Sequence, residues 1–182
     1  MTVRVPSQSK PLLLQIPDEV ALQVTPEQFA VLAAANRDLK LERTATGELI
    51  VNPPTGGETG RRNAKIGTQL GVWCEANETL GEYFDSSTGF ELPNGANRSP
   101  DASWVRKERW EALTSEQRDS LIPLSPDFVV ELRSKRDSLT ELRAKMQEYM
   151  ENGTQLGWLI DPKNKRVEVY RTGQTVEVLE NP

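Results

Sequence analysis

The segment Ser125-Pro126-Asp127-Phe128-Val129-Val130-Glu131-Leu132-Arg133-Ser134-Lys135 constrains the fold more than any other part of this chain. Phe128, Val129, Val130 and Leu132 form the β-branched and apolar run of a strand covered on both faces. Glu131 interrupts that run, and a carboxylate in such a place must be paired, protonated or bound to a metal. Side chains alternate across a strand, so the spacing predicts Glu131, Arg133 and Lys135 on one face. An acid followed by bases on its own face suits a divalent cation: the acid holds the ion, and a base steadies charge on the attacking water or the reacting phosphate. On an exposed strand the same pattern would be an ion pair or a guard against edge pairing. The apolar residues on both faces, together with a second acid-bearing strand upstream, favour the covered reading.

That second strand is Ser99-Pro100-Asp101-Ala102-Ser103-Trp104-Val105, entered from the turn-rich Leu92-Pro93-Asn94-Gly95. Pro100 belongs at a strand start or edge, which sets Asp101 at the mouth of its strand, where open α/β sheets place their sites. Asp101 and Glu131 form a candidate carboxylate pair for a hard cation whose remaining ligands are water and phosphate. Asp127 competes by parity, but it lies on the order of 13 Å from Glu131 along the strand, so it reads as a strand-start residue.

Composition removes whole classes of chemistry. There is no histidine, which excludes Ser-His-Asp and Cys-His mechanisms and histidine zinc sites. The one cysteine, Cys74, allows no intrachain disulfide and reads as packing among Leu70, Trp73 and Ala76. Catalysis is left to carboxylates, lysine, arginine, tyrosine or serine, with an oxygen-preferring metal. The net charge of −5 argues against a broad, sequence-independent nucleic-acid footprint, yet Arg61, Arg62 and Lys65 cluster, as do Arg133, Lys135 and Arg136. No apolar run is long enough to span a membrane, and the first residues lack the pattern of a secretion signal, so a cytoplasmic protein is expected.

The length of 182 residues suits one domain, here residues 25–182 after an irregular segment over 1–24. Thr25-Pro26-Glu27-Gln28 opens a short helix. A hairpin over 39–43 and 48–51 turns at Ala45-Thr46-Gly47. A helix over about 60–77 buries Ile66, Leu70, Trp73 and Cys74. Strands over 82–87 and 88–92, or one bent strand over both, precede the Asp101 strand, and residues 107–119 read as one polar helix. After the Glu131 strand, a helix opening at Asp137-Ser138 buries Leu142, Met146, Tyr149 and Met150 and stops at Gly153. Strands over 157–160 and 166–170 flank a turn at Asp161-Pro162-Lys163-Asn164, and 176–179 reads as an edge strand.

Two further residues extend the constellation. Lys145 borders the apolar stripe of its helix, and it either snorkels to water or points along the sheet toward the carboxylates. Glu42 bears on the site if the first hairpin packs beside it.

Taken in order, the chain then resembles a known family. The resemblance rests on Glu42 before Gly47-Glu48-Leu49, on Glu58-Thr59-Gly60-Arg61-Arg62-Asn63, and on Leu92-Pro93-Asn94-Gly95 leading to Ser99-Pro100-Asp101. It continues in Pro126-Asp127-Phe128-Val129-Val130-Glu131-Leu132-Arg133-Ser134, Lys145, Tyr149, Gly153 and Trp158-Leu159-Ile160-Asp161-Pro162. These residues, over roughly 25–172, resemble the Uma-two family of restriction endonuclease-like proteins, within the PD-(D/E)xK nuclease superfamily. The resemblance implies an α/β (α+β) fold: a central mixed β-sheet flanked by helices, with an N-terminal helix and β-hairpin. It implies Asp101 and Glu131 as metal ligands and Glu42 as an accessory acid. The superfamily lysine falls at Arg133, which cannot act as a base; Arg133 then only stabilises charge, or Lys145 takes the lysine role.

The expected activity is Mg2+-dependent hydrolysis of DNA phosphodiester bonds, with Mn2+ as a possible substitute. Arg61, Arg62, Lys65 and Lys135 would meet DNA backbone phosphates, and a two-fold homodimer is expected for cutting both strands. The alternative is a catalytically inactive descendant that binds nucleic acid or a protein partner. A carboxylate-pair glycosidase leaves the same-face bases unexplained.

Overall fold

The computed structural model of the protein describes residues 21–182. Of the irregular segment expected over 1–24, residues 1–20 lie outside the described residues. The remainder pairs with the first hairpin, through a bridge from Gln23 to Glu48 and a hydrogen bond from Val24 N–H to Gly47 O.

Helix α1 (Pro26–Ala35) begins as the sequence predicts, with a reciprocal capping box between Thr25 and Gln28. Strands β1 (Lys40–Arg43) and β2 (Leu49–Asn52) form the antiparallel hairpin, which pairs Glu42 with Ile50. Gly47 takes a φ of 96° in its turn, a conformation that favours glycine. Helix α2 (Gly57–Ala76) is followed by β3 (Gly81–Asp85), β4 (Phe90–Glu91), β5 (Asn97–Arg98) and β6 (Ala102–Arg106). Then come α3 (Lys107–Glu111), α4 (Ser115–Arg118), β7 (Phe128–Leu132), α5 (Leu139–Glu151), β8 (Leu156–Asp161), β9 (Arg166–Arg171) and β10 (Glu177–Glu180).

Two sheets result. The larger runs β10-β9-β8-β7-β6-β3, with β7 and β8 parallel and every other neighbour antiparallel. The smaller runs β2-β1-β5-β4. This is the mixed central sheet flanked by helices that the family resemblance implies. Helix α5 covers the face bearing Val129 and Glu131: its Met146 lies over Gly157, where a methyl group would collide with the methionine. Helix α2 covers the opposite face, where Gly67 lets the helix close onto Tyr83. The core joins Phe90, Leu92, Val105, Val129, Met146, Tyr149, Leu159 and Tyr170.

Three expectations need correction. The predicted helix over 107–119 is two short helices, because Thr114 and Gln117 form a second capping box that starts α4 afresh. The predicted strand over 88–92 is only the short β4, which joins the smaller sheet rather than continuing β3. Trp73, placed in the buried face of its helix by periodicity, is 44% exposed and lies edge-on to Trp104 at 5.7 Å. Cys74 is buried as expected, its thiol donating to Gly81 O.

Candidate active site at the seam of two sheets

The chain leaves β5 of the smaller sheet and enters β6 of the larger one through Ser99-Pro100-Asp101. This crossing sets the geometry of the site. Ala102 pairs with Val130 and Ser103 with Val129. Continued by one residue, the same antiparallel register puts Asp101 opposite Glu131, and Asp101 N–H donates to Val130 O at 3.0 Å. Residues directly opposed on antiparallel strands share a face, with Cβ atoms about 4.5–5.5 Å apart. The two acids therefore stand side by side.

Each is held by the backbone or by a neighbouring helix. Asp101 Oδ2 accepts from Leu132 N–H at 2.8 Å, which leaves Oδ1 outward, 3.4 Å from Lys40 Nζ and 3.5 Å from Asn63 Nδ2. Glu131 Oε1 receives Lys145 Nζ at 2.8 Å and the Tyr149 hydroxyl at 3.1 Å. Glu131 Oε2 accepts no hydrogen bond among the described residues. The spacing of Lys145 and Tyr149 on one flank of α5 brings both polar tips onto the same carboxylate.

Glu42 closes the group from the smaller sheet. Its Oε1 accepts from Lys145 Nζ at 2.9 Å and from Ser99 N–H at 2.9 Å, and Arg98 lies 3.5 Å from Oε2. Lys145 thus clamps an acid from each sheet, and the Glu42 and Glu131 side chains are only 4% and 5% exposed.

The electrostatics of the two clamped acids diverge. Burial works to raise the Glu42 carboxyl, but Lys145, the Ser99 N–H and Arg98 outweigh it, so Glu42 sits below its ordinary value. Burial also raises Glu131; Lys145 opposes, yet Asp101 and Glu42 add to the rise, so Glu131 sits above its ordinary value. Burial alone would lower Lys145, but Glu131 and Glu42 raise it, so the ammonium keeps its proton. Burial and the adjoining Glu131 push the Tyr149 hydroxyl well up, so it remains a donor. Burial leaves the ionised form of Glu131 under-compensated, and the donors nearest to hand, Asp101 Oδ1 with its long contacts and Glu131 Oε2, are hard oxygens. That combination fits a magnesium-like cation. Among the described residues, no three acidic or cysteine side chains gather closely enough to enclose a metal unaided. Such an ion would accordingly keep water in its shell.

The other residues singled out from the sequence lie elsewhere. Arg133 follows the end of β7, and its guanidinium is engaged by Asp161 Oδ2 at 2.7 Å and by Asp137 O. It ties β7 to β8 and meets neither Asp101 nor Glu131. Lys135 lies beyond the end of β7, in a bend, so strand alternation no longer sets its direction; it is exposed. Arg61 and Arg62 both pair with Glu58 on the surface of α2, and Lys65 is exposed on the same helix. Asp127 lies at the other end of β7, buried, accepting from Arg106 N–H and Nε and pairing with Arg109. Its role as a strand-start residue follows from those contacts.

Lys40 and Asn63 were not singled out as site residues from the sequence. Lys40 could have been found: two residues before Glu42 on a strand, it shares that residue's face. For Asn63, nothing in the helical pattern marks it, since its contact depends on how α2 meets the crossing.

Among the described residues, no helix is long and apolar enough to cross a membrane. The structure is similar to the crystal structure of a putative nuclease belonging to DUF820 from Anabaena variabilis, with a TM-score of 0.72 and 23% sequence identity over 87% of this chain and 86% of that one. At that identity the likeness shows the fold. No curated protein gives a match. Residues 26–182 match the Uma2 family model, described as "Putative restriction endonuclease", and the chain belongs to that family of nuclease-like proteins.

Proposed function

We propose that this protein is a divalent-metal-dependent endonuclease that hydrolyses DNA phosphodiester bonds at the seam between its two sheets. The observation that carries the reading is the opposition of Asp101 and Glu131 across adjacent antiparallel strands, each with one oxygen fastened, the second Asp101 oxygen held only by long contacts to Lys40 and Asn63. Asp101 and Glu131 would hold Mg2+, with Mn2+ as a substitute. When bound, such an ion polarises the phosphate and lowers the pKa of its water.

The chain's own residues supply position and charge. Leu132 N–H fixes Asp101, and Tyr149 with Lys145 fixes Glu131, so the two carboxylates need little reorganisation on binding. Lys145 keeps its proton, which makes it a fixed positive charge beside the site and not a base. Glu42 keeps Lys145 from collapsing wholly onto Glu131 by sharing it. Arg61, Arg62, Lys65 and Lys135 are exposed enough to meet backbone phosphates of a duplex. Two copies related by a two-fold axis would present one site to each strand.

The test is nicking of supercoiled plasmid with Mg2+ or Mn2+. The wild-type protein nicks, and Glu131→Gln, which keeps the shape and removes the charge, loses at least about a hundredfold in rate. Equal nicking by both would overturn the site. Absence of nicking by the wild type, with DNA binding retained, would favour a non-catalytic binder; the engagement of Arg133 by Asp161 is the observation on that side.

A further inference from the structure

The outward oxygen of Asp101 is approached from two directions by side chains that belong to neither acid-bearing strand. Lys40 comes from β1 and Asn63 from the first turns of α2. The two lysines of the site differ sharply. Lys145 is 14% exposed and bridges two buried carboxylates at 2.8 and 2.9 Å. Lys40 is 31% exposed and touches Asp101 at 3.4 Å, a long contact for a charged pair. Lys40 therefore stands on the oxygen a cation would need, at the open side of the site, and is held there loosely.

Asn63 gives a second, independent sign. Its Nδ2 faces Asp101 Oδ1, which fixes the orientation of the amide, since the reverse would set two oxygens against each other. Its Oδ1 is then buried without a hydrogen-bond partner among the described residues. Buried polar atoms are normally satisfied, and an orphan beside a carboxylate calls for a donor absent from the chain itself. Water in the shell of an ion on Asp101 is such a donor.

Resting on the metal-dependent reading above, we propose that Asp101 Oδ1 is a gated ligand. Lys40 occupies it in the metal-free protein and moves to the substrate phosphate when an ion arrives, while Asn63 Oδ1 accepts a hydrogen bond from the ion's water. Lys40 is then the mobile cation of the site and Lys145 the fixed one. No covalent step is involved. The ammonium exchanges one anionic oxygen for another.

The test is a Mn2+ titration of the DNA-free protein followed by the EPR signal of free Mn2+, with thermal melts verifying that each variant is folded. Lys40→Met removes a competing positive charge and should tighten Mn2+ binding about tenfold, roughly 1.4 kcal/mol. The same variant should raise KM for plasmid DNA, because the phosphate contact is lost. Lys40→Gln, whose amide is a weaker competitor, should fall between wild type and Lys40→Met. Asn63→Ala should weaken Mn2+ binding several-fold, and Asp101→Asn should abolish it. Affinity in both Lys40 variants within twofold of the wild type would overturn the gate, while leaving the metal site standing. A wild type that binds Mn2+ no better than Asp101→Asn would overturn both the gate and the metal-dependent reading.

Discussion

Replacing Lys145 with methionine tests whether the two sheets are joined through the site itself. Methionine keeps most of the apolar stem and removes the ammonium that lies 2.8 Å from Glu131 and 2.9 Å from Glu42. Both carboxylates are buried, so removal of their shared partner leaves uncompensated charge, a change that typically costs about 3–5 kcal/mol. Glu42 retains Arg98 and the Ser99 N–H, whereas Glu131 keeps only the Tyr149 hydroxyl. Most of the loss should therefore come from Glu131.

The pH dependence follows from the same contacts. Glu131 is already raised in the wild type, so its ionised form weighs against the folded state above its folded pKa. Loss of Lys145 raises it further. Glu42 is depressed in the wild type, so it contributes stability above its unfolded value that fades as pH falls through the folded one; loss of Lys145 removes much of that contribution. Both effects make the variant's deficit largest at high pH and smallest where Glu131 is protonated.

Urea denaturation at about pH 8 and about pH 5.5 measures this directly, with the deficit shrinking at the lower pH. Adding Glu131→Gln to Lys145→Met should restore about 1–3 kcal/mol at the higher pH, the range of coupling between contacting residues. A single-variant deficit under about 1 kcal/mol at both pH values would refute the reasoning, because buried carboxylates would then tolerate isolation. A double variant no more stable than the single one would place the loss outside Glu131.

The remaining expectations concern proton competition and Arg133. Because Glu131 is raised above the ordinary glutamate value and, on the proposed reading, must be ionised to hold a cation, Mn2+ affinity should climb as pH rises above the ordinary glutamate range; EPR titration showing affinity independent of pH there would contradict it. Arg133→Met should destabilise the protein by about 1–3 kcal/mol in urea by leaving buried Asp161 without its guanidinium, yet change Mn2+ affinity less than about twofold. A large loss of affinity would return Arg133 to the site.

The local signals in the sequence were the ones that translated most directly into structure. Thr25 and Gln28 cap α1, Gly153 takes a φ of 102° where α5 stops, and the Glu131 run forms a central strand. These depend on neighbours within a few residues. The expected helix over 107–119 failed for an equally local reason, since Thr114 and Gln117 carry the same capping pattern as Thr25 and Gln28. What lay beyond the sequence is the meeting of distant segments. Alternation along β7 places Arg133 on the Glu131 face, but only the parallel register with β8 brings Asp161 to claim it. Periodicity on α2 finds Cys74 and misassigns Trp73, whose ring stays 44% exposed and meets Trp104 only edge-on.

The seam also accounts for why the acids are raised and lowered in opposite senses. Glu42 enters from the smaller sheet, where the crossing at Ser99 offers it a backbone donor, and Arg98 from the adjacent strand adds charge. Glu131 enters from the centre of the larger sheet, among apolar neighbours, where Lys145 and Tyr149 make its polar contacts and Lys40 adds only a more distant charge. One ammonium divided between them satisfies Glu42 and falls short for Glu131. A protein shaped only for stability would gain by replacing such a pair with apolar residues. Here the shortfall lies beside Asp101 Oδ1, which Lys40 meets only loosely, and an added dication there would relieve it. On the metal-dependent reading proposed above, the cost of keeping Glu131 ionised would be recovered when a cation binds, with Lys145 staying fixed and Lys40 yielding its place.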